Sequence, residues 1–420
     1  MFSKHPFTKK CAKRQKLVLV NRFYAPDVSA TSQILTDIAE ALSDGGELVS
    51  VFASRMSYDG KSTFPKYETI NSVQVYRVWS TRFGRHTNLG RLVDYLTFYI
   101  AITVRLSFFV APGDILVAKT DPPVLSIPLG VVARIKRVKL VNWLQDIFPE
   151  VAVQLGFGRS SSFPIRALRY LRNRSLRHAA MNIVIGARMA EKARKLQVAP
   201  EKIAVIGNFV DDQFILRSEE HSSSLRKAWG LKESDFVIGY SGNLGRAHDL
   251  DTMLDTAERL LDSPQFVFLF IGGGALHSQL QSEVKRRGLT NIVLQPYQPR
   301  SKLHESLALP DLHWASLEPK LEGLIVPSKI YGIAAAGRPL LMIGDPNGEV
   351  GRILSDYPFG KCVPPGDHAQ VEAFVRSIQR DPSQSIKMGR LARQFIDDQA
   401  SSEKAIANWK SLIERIRTLD

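Results

Sequence analysis

The sequence predicts an α/β protein with two doubly wound parallel sheets, one in each half of the chain. Its 420 residues are enough for two to three domains of roughly 150 residues each, and 44% of them are hydrophobic. Short runs of apolar, β-branched residues alternate with amphipathic segments, which is typical of strands buried on both faces between helices. The alternation occurs in two series, and a segment rich in turn residues separates them.

The predicted strands and boundary follow the chain in order. The first series covers residues 16–21, 47–52, 114–118 and 139–143, and the second covers 235–240, 266–271, 292–294, 312–315 and 340–343. Between them, Gly207-Asn208 and Asp211-Asp212 indicate a boundary near residue 210. We therefore expect an N-terminal domain over 1–209, a C-terminal domain over 210–399 and a closing amphipathic helix within 400–420, with a ligand crevice between the domains.

Charge and cysteine content limit the function classes. The 56 Lys and Arg residues against 41 Asp and Glu give a net charge of +15, which favours phosphates, anionic lipid or nucleic acid. The sequence has none of the usual nucleic-acid-binding patterns, so nucleic acid is not an expected partner. Cys11 and Cys362 are too few for a disulfide framework or a cysteine-ligated zinc site, and they fit a reducing compartment.

Two segments predict contact with a membrane surface. The apolar tract from Leu92 to Pro112 contains Asp94 and Arg105, so it predicts a buried or interfacial helix rather than a membrane span. Residues 159–195 carry ten Lys or Arg and one acid, and cations near anionic lipid contribute about 1 kcal/mol each. The first sixteen residues are also basic and lack the apolar core of a secretory signal. We expect peripheral attachment to an anionic membrane, although a solvated basic face explains the charge equally simply.

Three loops follow predicted strands and lead into helices, where backbone amides attract anions. An ordinary helix cap or a tight turn is the alternative for each, because glycine-rich turns are weak signals by themselves. The candidate ligand-binding residues in these loops are Ser29, Ala30, Gly242, Asn243, Arg246, His248 and Gly273.

The segment 317–339 combines a carboxylate with a lysine at the start of a helix of small residues. Glu322 is placed to accept hydrogen bonds from sugar hydroxyls, and Lys329 is placed to neutralise a phosphate. Asp249 and Asp251 have the Asp-x-Asp spacing of a divalent metal site. They also stand where a helix is predicted to begin, which favours acidic residues without any metal, so no metal site is expected.

In these motifs the sequence resembles the family 4 glycosyltransferases with the GT-B fold, and more specifically the bacterial branch that acts in colanic acid, O-antigen and capsule synthesis. The resemblance covers nearly the whole chain and depends on the order and spacing of short motifs. These motifs are 23–27, 121–123, 145–150, 206–211, 240–245 and 322–339.

The resemblance implies two Rossmann-like domains facing a central cleft. It also implies that a sugar is transferred with retention from a nucleotide diphosphate donor, expected to be UDP-linked, which the C-terminal domain binds without a metal or other cofactor. A lipid-linked saccharide is the expected acceptor, and the expected location is the cytoplasmic face of the inner membrane.

Residue roles are implied position by position. Glu322 corresponds to the first glutamate of the family's paired-glutamate motif, which contacts the donor sugar, whereas Gly332 stands where the second glutamate is usual. Glu349 is our candidate for the missing ribose contact. Further expected donor contacts are Gly323, Ser328, Pro296 and Tyr297.

The family's phosphate-binding pair falls at Asn243 and His248, so Arg246 and Lys329 are expected to supply the positive charge. Asp146 is the acceptor-side candidate, next to Gln145 where many relatives carry histidine. Two other functions stay open: a non-hydrolysing sugar-nucleotide epimerase, and a non-catalytic subunit that uses the same fold to bind a partner enzyme.

Overall fold

A computed structural model describes residues 15–27, 29–58, 60–84, 87–210 and 222–419, and these form two compact units. The first contains the described residues up to Trp143, together with His178–Met181 and those from Glu414 onward. The second contains Leu144–Arg177 and Asn182–Ile413. The basic N-terminal tail and Asp211-Asp212 lie outside the described residues. The predicted division into an acceptor-binding part before residue 210 and a donor-binding part after it concerns ligands and stays a prediction.

The first unit is built on a mostly parallel sheet. Its strands run in the order β3-β4-β2-β1-β5-β6, and only the β3-β4 pair is antiparallel. Their bounds are β1 Leu17–Val20, β2 Val49–Ser54, β3 Tyr67–Ile70, β4 Val73–Val78, β5 Ile115–Lys119 and β6 Lys139–Leu144. Strands β1, β2 and β5 are buried at every residue, which is why they are continuous apolar runs in the sequence.

Three helices cover this sheet: α1 Ala30–Asp44, α2 Asn88–Phe109 and α3 Ser126–Lys136. Helix α2 buries Phe98, Ile102 and Leu106 completely in the core of the unit, at the four-residue spacing of one helix face. Among the described residues, α2 is the one helix that is long and apolar enough to cross a membrane. Because one face of α2 packs in a protein core, length and composition alone do not make it a span.

The second unit contains a fully parallel six-stranded sheet with the order β11-β10-β9-β12-β13-β14. In chain order this is the 3-2-1-4-5-6 arrangement of a doubly wound sheet. The bounds are β9 Phe236–Asn243, β10 Phe266–Gly273, β11 Ile292–Gln295, β12 Leu312–Ser316, β13 Leu340–Ile343 and β14 Gly360–Val363, while β7 Met181–Val184 pairs with β8 Ile203–Val205. The largest fully buried side chains of this sheet include Trp314 and Tyr240.

Twelve further helices follow the first three in chain order among the described residues. They are α4 Glu150–Gln154, α5 Phe163–His178, α6 Ala187–Lys195, α7 Ser222–Ala228, α8 Asp251–Arg259, α9 His277–Arg287, α10 Leu303–Ala308, α11 Lys329–Ala335, α12 Glu349–Asp356, α13 His368–Arg380, α14 Pro382–Phe395 and α15 Ser402–Thr418.

The predicted closing helix is α15, and its end belongs to the first unit. There Lys139 Nζ donates to the carbonyls of Ile416 and Arg417, each at 3.0 Å, and Arg417 pairs with Glu47 at 2.8 Å. A lysine at the last carbonyls of a helix satisfies groups that have no partner within the helix.

The two parallel sheets confirm the predicted fold class, and every predicted strand is present within a few residues. Five strands of the structure were not predicted: β3, β4, β7, β8 and β14. Strands β3 and β8 retain partly exposed positions, and β14 is mostly half-buried with Gly and Lys at its start. Such segments lack the continuous apolar run by which the buried strands were found.

Candidate functional site

The candidate site of the second unit lies where its strand order reverses, between β9 and β12. These neighbours pair through Ile238 with Leu312 and Gly239 with His313. In open parallel sheets, the loops that follow such neighbouring strands form a crevice that commonly binds a ligand. Two segments here hold predicted donor-binding residues: the end of β9 with the loop that follows it, and the loop after β12 with the first residue of α11.

Lys329 brings the two loops together. Its Nζ donates to the carbonyl of Asn243 at 3.2 Å and lies 3.2 Å from Nε2 of His248. The same ammonium lies 4.9 Å from the ring centroid of Tyr240, within the range of a cation–π contact. A Cβ built on Gly242 comes 3.1 Å from Cε of Lys329, so this glycine lies directly against the lysine stem. Gly242, Asn243 and His248 of the one predicted loop and Lys329 of the other therefore form one cluster.

The protonation of this cluster follows from its hydrogen bonds. His248 Nδ1 lies 2.6 Å from the carbonyl of Ser316, which can only accept, so Nδ1 carries the hydrogen and Nε2 accepts from Lys329. Burial, reinforced by Lys329, lowers the pKa of His248 to about 4. Burial also lowers the pKa of Lys329 to about 8. At neutral pH the histidine is therefore neutral and the lysine supplies the positive charge.

The two candidate carboxylates each bind the start of a helix. Glu322 Oε2 accepts the backbone N–H of Glu349 at 3.1 Å, at the beginning of α12. Gly348 precedes that helix and has no side chain to cap it, and a Cβ there would come 2.3 Å from Oε1 of Glu322. Glu349 in turn accepts from the amides of Ala187 at 2.9 Å and Arg188 at 2.7 Å, which begin α6. Each carboxylate thus acts as the cap that the local sequence lacks.

The loop carrying Glu322 is tightly constrained. Gly323 has φ +72°, and a Cβ there would come 2.9 Å from the carbonyl oxygen of Arg188, so both conformation and space require glycine. Burial raises the pKa of Glu322, and the nearby charges of Asp345 and Glu349 act in the same direction, whereas the hydrogen bond from the Glu349 amide opposes them. Glu322 is therefore a fixed carboxylate in a poorly solvated position.

The motif containing Asp146 lies beside the same loop. Asp146 forms a β-bridge with Ile325, and the amide of Ile147 donates to the carbonyl of Leu324 at 2.9 Å. Arg172 fixes the far end of the motif, because its guanidinium donates to the carbonyl of Phe148 at 3.0 Å and to Glu150 at 2.7 Å. The structure therefore places the acceptor-side candidate next to the loop of Glu322.

Other predicted donor contacts lie around these loops without joining the lysine cluster. Arg246 is exposed, with its guanidinium 5.4 Å from the ring centroid of Phe157. The ring of Tyr297, which follows Pro296, lies over Gly273, where a built Cβ would come 3.2 Å from it. Ser328 is exposed and precedes Lys329 without capping α11 through its side chain.

Ser29 and Ala30 belong to the first unit, at the start of α1. The Ser29 hydroxyl accepts the amide of Ser32 at 3.3 Å, while the Ser29 amide donates to Asp27 at 3.0 Å. This is the geometry of the helix cap that the sequence offered as the simpler explanation, and a donor contact there stays a prediction.

Asp249 of the Asp-x-Asp pair also has a structural use, because its carboxylate accepts the amide of Thr252 at 3.1 Å.

Sequence reasoning missed two members of the site. Tyr240 lies under Lys329 and donates from its hydroxyl to the carbonyl of Asn243 at 2.8 Å. Ser316 fixes the tautomer of His248 through its backbone carbonyl, which no side-chain pattern reveals. The position of Tyr240 near the end of β9, before a glycine-rich loop, is a signal that could have found it.

Comparison with known proteins shows what the chain is similar to. The glycosyl transferase 4-like domain matches residues 30–208. WbjE of Pseudomonas aeruginosa, named as a probable glycosyltransferase, is 26% identical over 71% of this chain and 74% of its own. WcaI of Escherichia coli K12, whose name assigns it to colanic acid biosynthesis, is 26% identical over 67% of this chain and 69% of its own. HepE of Anabaena, solved with UDP and glucose, has a TM-score of 0.72 at 16% identity over 97% of this chain and 100% of its own.

The chain has the GT-B fold, which HepE shares, and it is similar to family 4 glycosyltransferases. It is related to enzymes of bacterial polysaccharide biosynthesis, as the sequence motifs predicted. Gly332, where the resemblance places the family's second glutamate, lies within α11, and a Cβ there would come 3.3 Å from Cδ1 of Leu307. Glu349, which we predicted as the substitute, already accepts two backbone hydrogen bonds.

Proposed function

We propose that this protein transfers a sugar, with retention and without a metal, from a UDP-linked donor to a lipid-linked glycan acceptor. The reaction belongs to cell-surface polysaccharide biosynthesis at the cytoplasmic face of the inner membrane. The observation that carries the proposal is the Lys329 ammonium, held by the Asn243 carbonyl and the neutral His248 where the second sheet reverses its strand order.

The lysine cluster suits a leaving diphosphate. Glycosyl transfer builds negative charge on the diphosphate as the bond to the sugar breaks, and a preorganised cation stabilises that charge most effectively. Lys329 is fixed by two neutral partners, so its full charge is available to a ligand. Exposed Arg246, on the loop after β9, supplies a second and more mobile charge. The departing phosphate takes the proton of the acceptor hydroxyl, so the proposal requires no separate side-chain base.

Glu322 is proposed to orient the donor sugar. Its Oε2 is held by the amide of Glu349, so the carboxylate does not rotate freely when a hydroxyl binds to it. Because the Glu322 carboxylate is already fixed, it positions the anomeric carbon of the donor sugar without a further loss of side-chain entropy. HepE, which was solved with UDP and glucose, shares this fold, and that supports the choice of UDP as the nucleotide.

Membrane attachment is supported by α2. Six of its residues recur at spacings of three and four along the helix, and each is between 49% and 86% exposed. We call this set the apolar stripe: Leu89, Leu92, Leu96, Ile100, Val104 and Phe108. The exposed side chains of Arg91, Arg105, Arg134 and Arg137 lie on α2 or at α3, which contacts it. Apolar residues flanked by cations match an anionic bilayer surface.

Thermal unfolding of the purified protein with UDP, GDP, ADP, CMP and dTDP tests the donor assignment. A nucleotide at 100 times its Kd stabilises the protein by about 2.7 kcal/mol, which is readily measured as a rise in Tm. We expect UDP to raise the Tm. A rise with another diphosphate alone would reassign the donor, and no rise with any nucleotide would favour the binding-subunit alternative. Formation of an isomer from a nucleotide sugar without acceptor would favour the epimerase.

A further inference from the structure

The second unit contains a cavity of about 630 Å³, which is in the size range of small-ligand sites. It is lined from α11, α12, the end of α14 and α15, and from residues at and after the ends of β7 and β8. All of its lining residues belong to the second unit. Neither Lys329 nor Glu322 lines it, so it is separate from the lysine cluster. We call it the acidic cavity, after its three carboxylates Glu349, Asp356 and Asp398.

A π-helical turn brings three polar side chains of one helix to the acidic cavity. Residues Ile396–Ala400 continue α14 in π-helical form. The wider turn of a π-helix places residues four and five positions apart on one face, and Gln394, Asp398 and Gln399 all line the cavity. Tyr357 joins them, because its hydroxyl donates to Asp398 at 3.3 Å and accepts from Gln399 at 3.2 Å. Such π turns are frequently found at functional sites.

Negative charge dominates the lining of the acidic cavity. None of the described residues that line it is a lysine, an arginine or a histidine, although the chain as a whole carries a net charge of +15. Asp356 ends α12, and Asp398 lies in the last turn of the helix that α14 begins, where partial negative charge favours cations. Lys404 donates to the carbonyl of Asp398 from outside the lining and offsets part of this field. The cavity therefore disfavours phosphates and nucleotides and favours a cation.

A buried carboxamide in the acidic cavity has no protein partner. Asn208 lines the cavity and is only 5% exposed, and its side chain forms no hydrogen bond with any part of the chain that the structure describes. Burying an amide without a partner is unfavourable, so a ligand that bonds to it recovers free energy. A carboxamide both donates and accepts hydrogen bonds, and a hydroxyl is the ligand group that matches it in both respects.

Aromatic rings form the apolar part of the lining. The ring centroid of Phe395 lies 6.1 Å from that of Tyr331 and 5.5 Å from that of Tyr357, and all three residues line the cavity. Burial, reinforced by the charge of Glu349, raises the pKa of Tyr331. The Tyr331 hydroxyl therefore keeps its hydrogen at neutral pH and can donate it to a ligand oxygen. Ring faces of this kind suit the C–H groups of a saccharide ring.

A metal ion does not account for the carboxylates. Among the described residues, no three acidic, histidine or cysteine side chains lie close enough together to hold one. We propose that the acidic cavity binds a polyhydroxylated amine of the amino-sugar class, with ammonium groups at Asp356 and Asp398 and hydroxyls at Asn208. Glu349 contributes charge, because its oxygens already accept two amides. This site lies apart from the lysine cluster, so the proposal does not depend on the proposed sugar transfer.

Calorimetric titration of the full-length protein with kanamycin A tests the assignment, because this aminoglycoside carries amines and hydroxyls on linked rings. The comparison ligands are maltotriose, which has hydroxyls without amines, and spermine, which has amines without hydroxyls. We expect kanamycin A to bind about tenfold more tightly than either, since each lacks one kind of contact. Asp356→Asn and Asn208→Leu are each expected to weaken kanamycin binding about tenfold. Binding should be the same with and without UDP.

Asp397→Asn is the matched control, since Asp397 is an exposed acid beside Asp398 that does not line the cavity, and it should bind like the wild type. Asp356 is also exposed, so Asp356→Asn should fold, and an unchanged Tm verifies this. Equal binding of spermine would mean unspecific attraction of cations, and equal binding of maltotriose would mean a site without an ammonium contact. Loss of kanamycin binding in the presence of UDP, or unchanged affinity in Asp356→Asn, would place the ligand elsewhere. Each of these results would overturn the proposal.

Discussion

The lysine cluster of the second unit and a cavity of the first unit, lined by Arg22, Arg82 and Arg91, use charge in different ways. Lys329 is half-buried and tied to two neutral partners, while Glu322 and Glu349 each hold the start of a helix. In the cavity Asp94 has such a structural duty, whereas Arg82 and Arg91 are exposed. A side chain that both stabilises the fold and binds a ligand is rigid, and replacing it also destabilises the fold. An exposed cation can be replaced without damage to the fold.

Loss of the fixed lysine should have the largest effect. Lys329→Ala is expected to lower kcat/KM by 100-fold or more, if the ammonium contributes about 3 kcal/mol in the transition state. Lys320→Ala is the matched control, because Lys320 is exposed in the same loop and pairs with Glu318 at 3.7 Å. Steady-state kinetics with donor and acceptor measure the difference. Near-normal turnover in Lys329→Ala would remove this residue from the mechanism.

Charges placed in the apolar stripe should release the protein from lipid. Leu96→Glu and Ile100→Glu are each expected to reduce binding to anionic vesicles at least tenfold, because burying a side chain of this kind contributes about 1.5–3 kcal/mol. Vesicle flotation measures the bound fraction. Ile386→Glu, an equally exposed aliphatic residue of the second unit, is the control and should bind like the wild type. Equal retention of all variants would show that the stripe does not touch the membrane.

The two carboxylates of the second unit should separate into a catalytic and a structural group. Glu349→Ala removes the acceptor for two amides of α6, so we expect a loss of about 1–2 kcal/mol in the free energy of unfolding with little change in donor KM. Glu322→Gln keeps an oxygen for the Glu349 amide, so we expect a nearly normal Tm and a clear loss of kcat. A large rise in donor KM in Glu349→Ala at unchanged Tm would instead support the ribose contact.

The pH dependence of UDP binding should show the smallest effect. A pKa of about 8 means that Lys329 is charged at pH 7 and loses its proton as the pH rises through 8. UDP affinity should therefore be flat near neutrality and fall by up to about tenfold by pH 9. Lys329→Arg stays charged over this range and should bind UDP independently of pH. A wild-type affinity that is constant to pH 9.5 would contradict the role of Lys329 as the phosphate-binding cation.

The parts of the molecule that could be predicted from the sequence were those marked by a pattern within one short segment of the chain. Continuous apolar runs indicated the buried strands, and Glu322 and Lys329 were found because a short motif contains both. Gly242, Asn243, His248 and Lys329 were all predicted, but nothing in the sequence indicated that His248 is neutral and holds the lysine. That follows from burial and from the backbone carbonyl of Ser316, both of which depend on tertiary structure. The cavity of the first unit was not predicted as a site, because its residues come from five separate segments.

Under the proposed function, the apolar stripe has a kinetic consequence. An enzyme that lies on a bilayer meets lipid acceptors by lateral diffusion, so its rate follows the mole fraction of acceptor in the surface and not the concentration in the whole solution. Adding inert anionic lipid at a constant total amount of acceptor lowers the acceptor's mole fraction in the surface. The reaction should then slow, even though the total amounts of both substrates in the assay are unchanged.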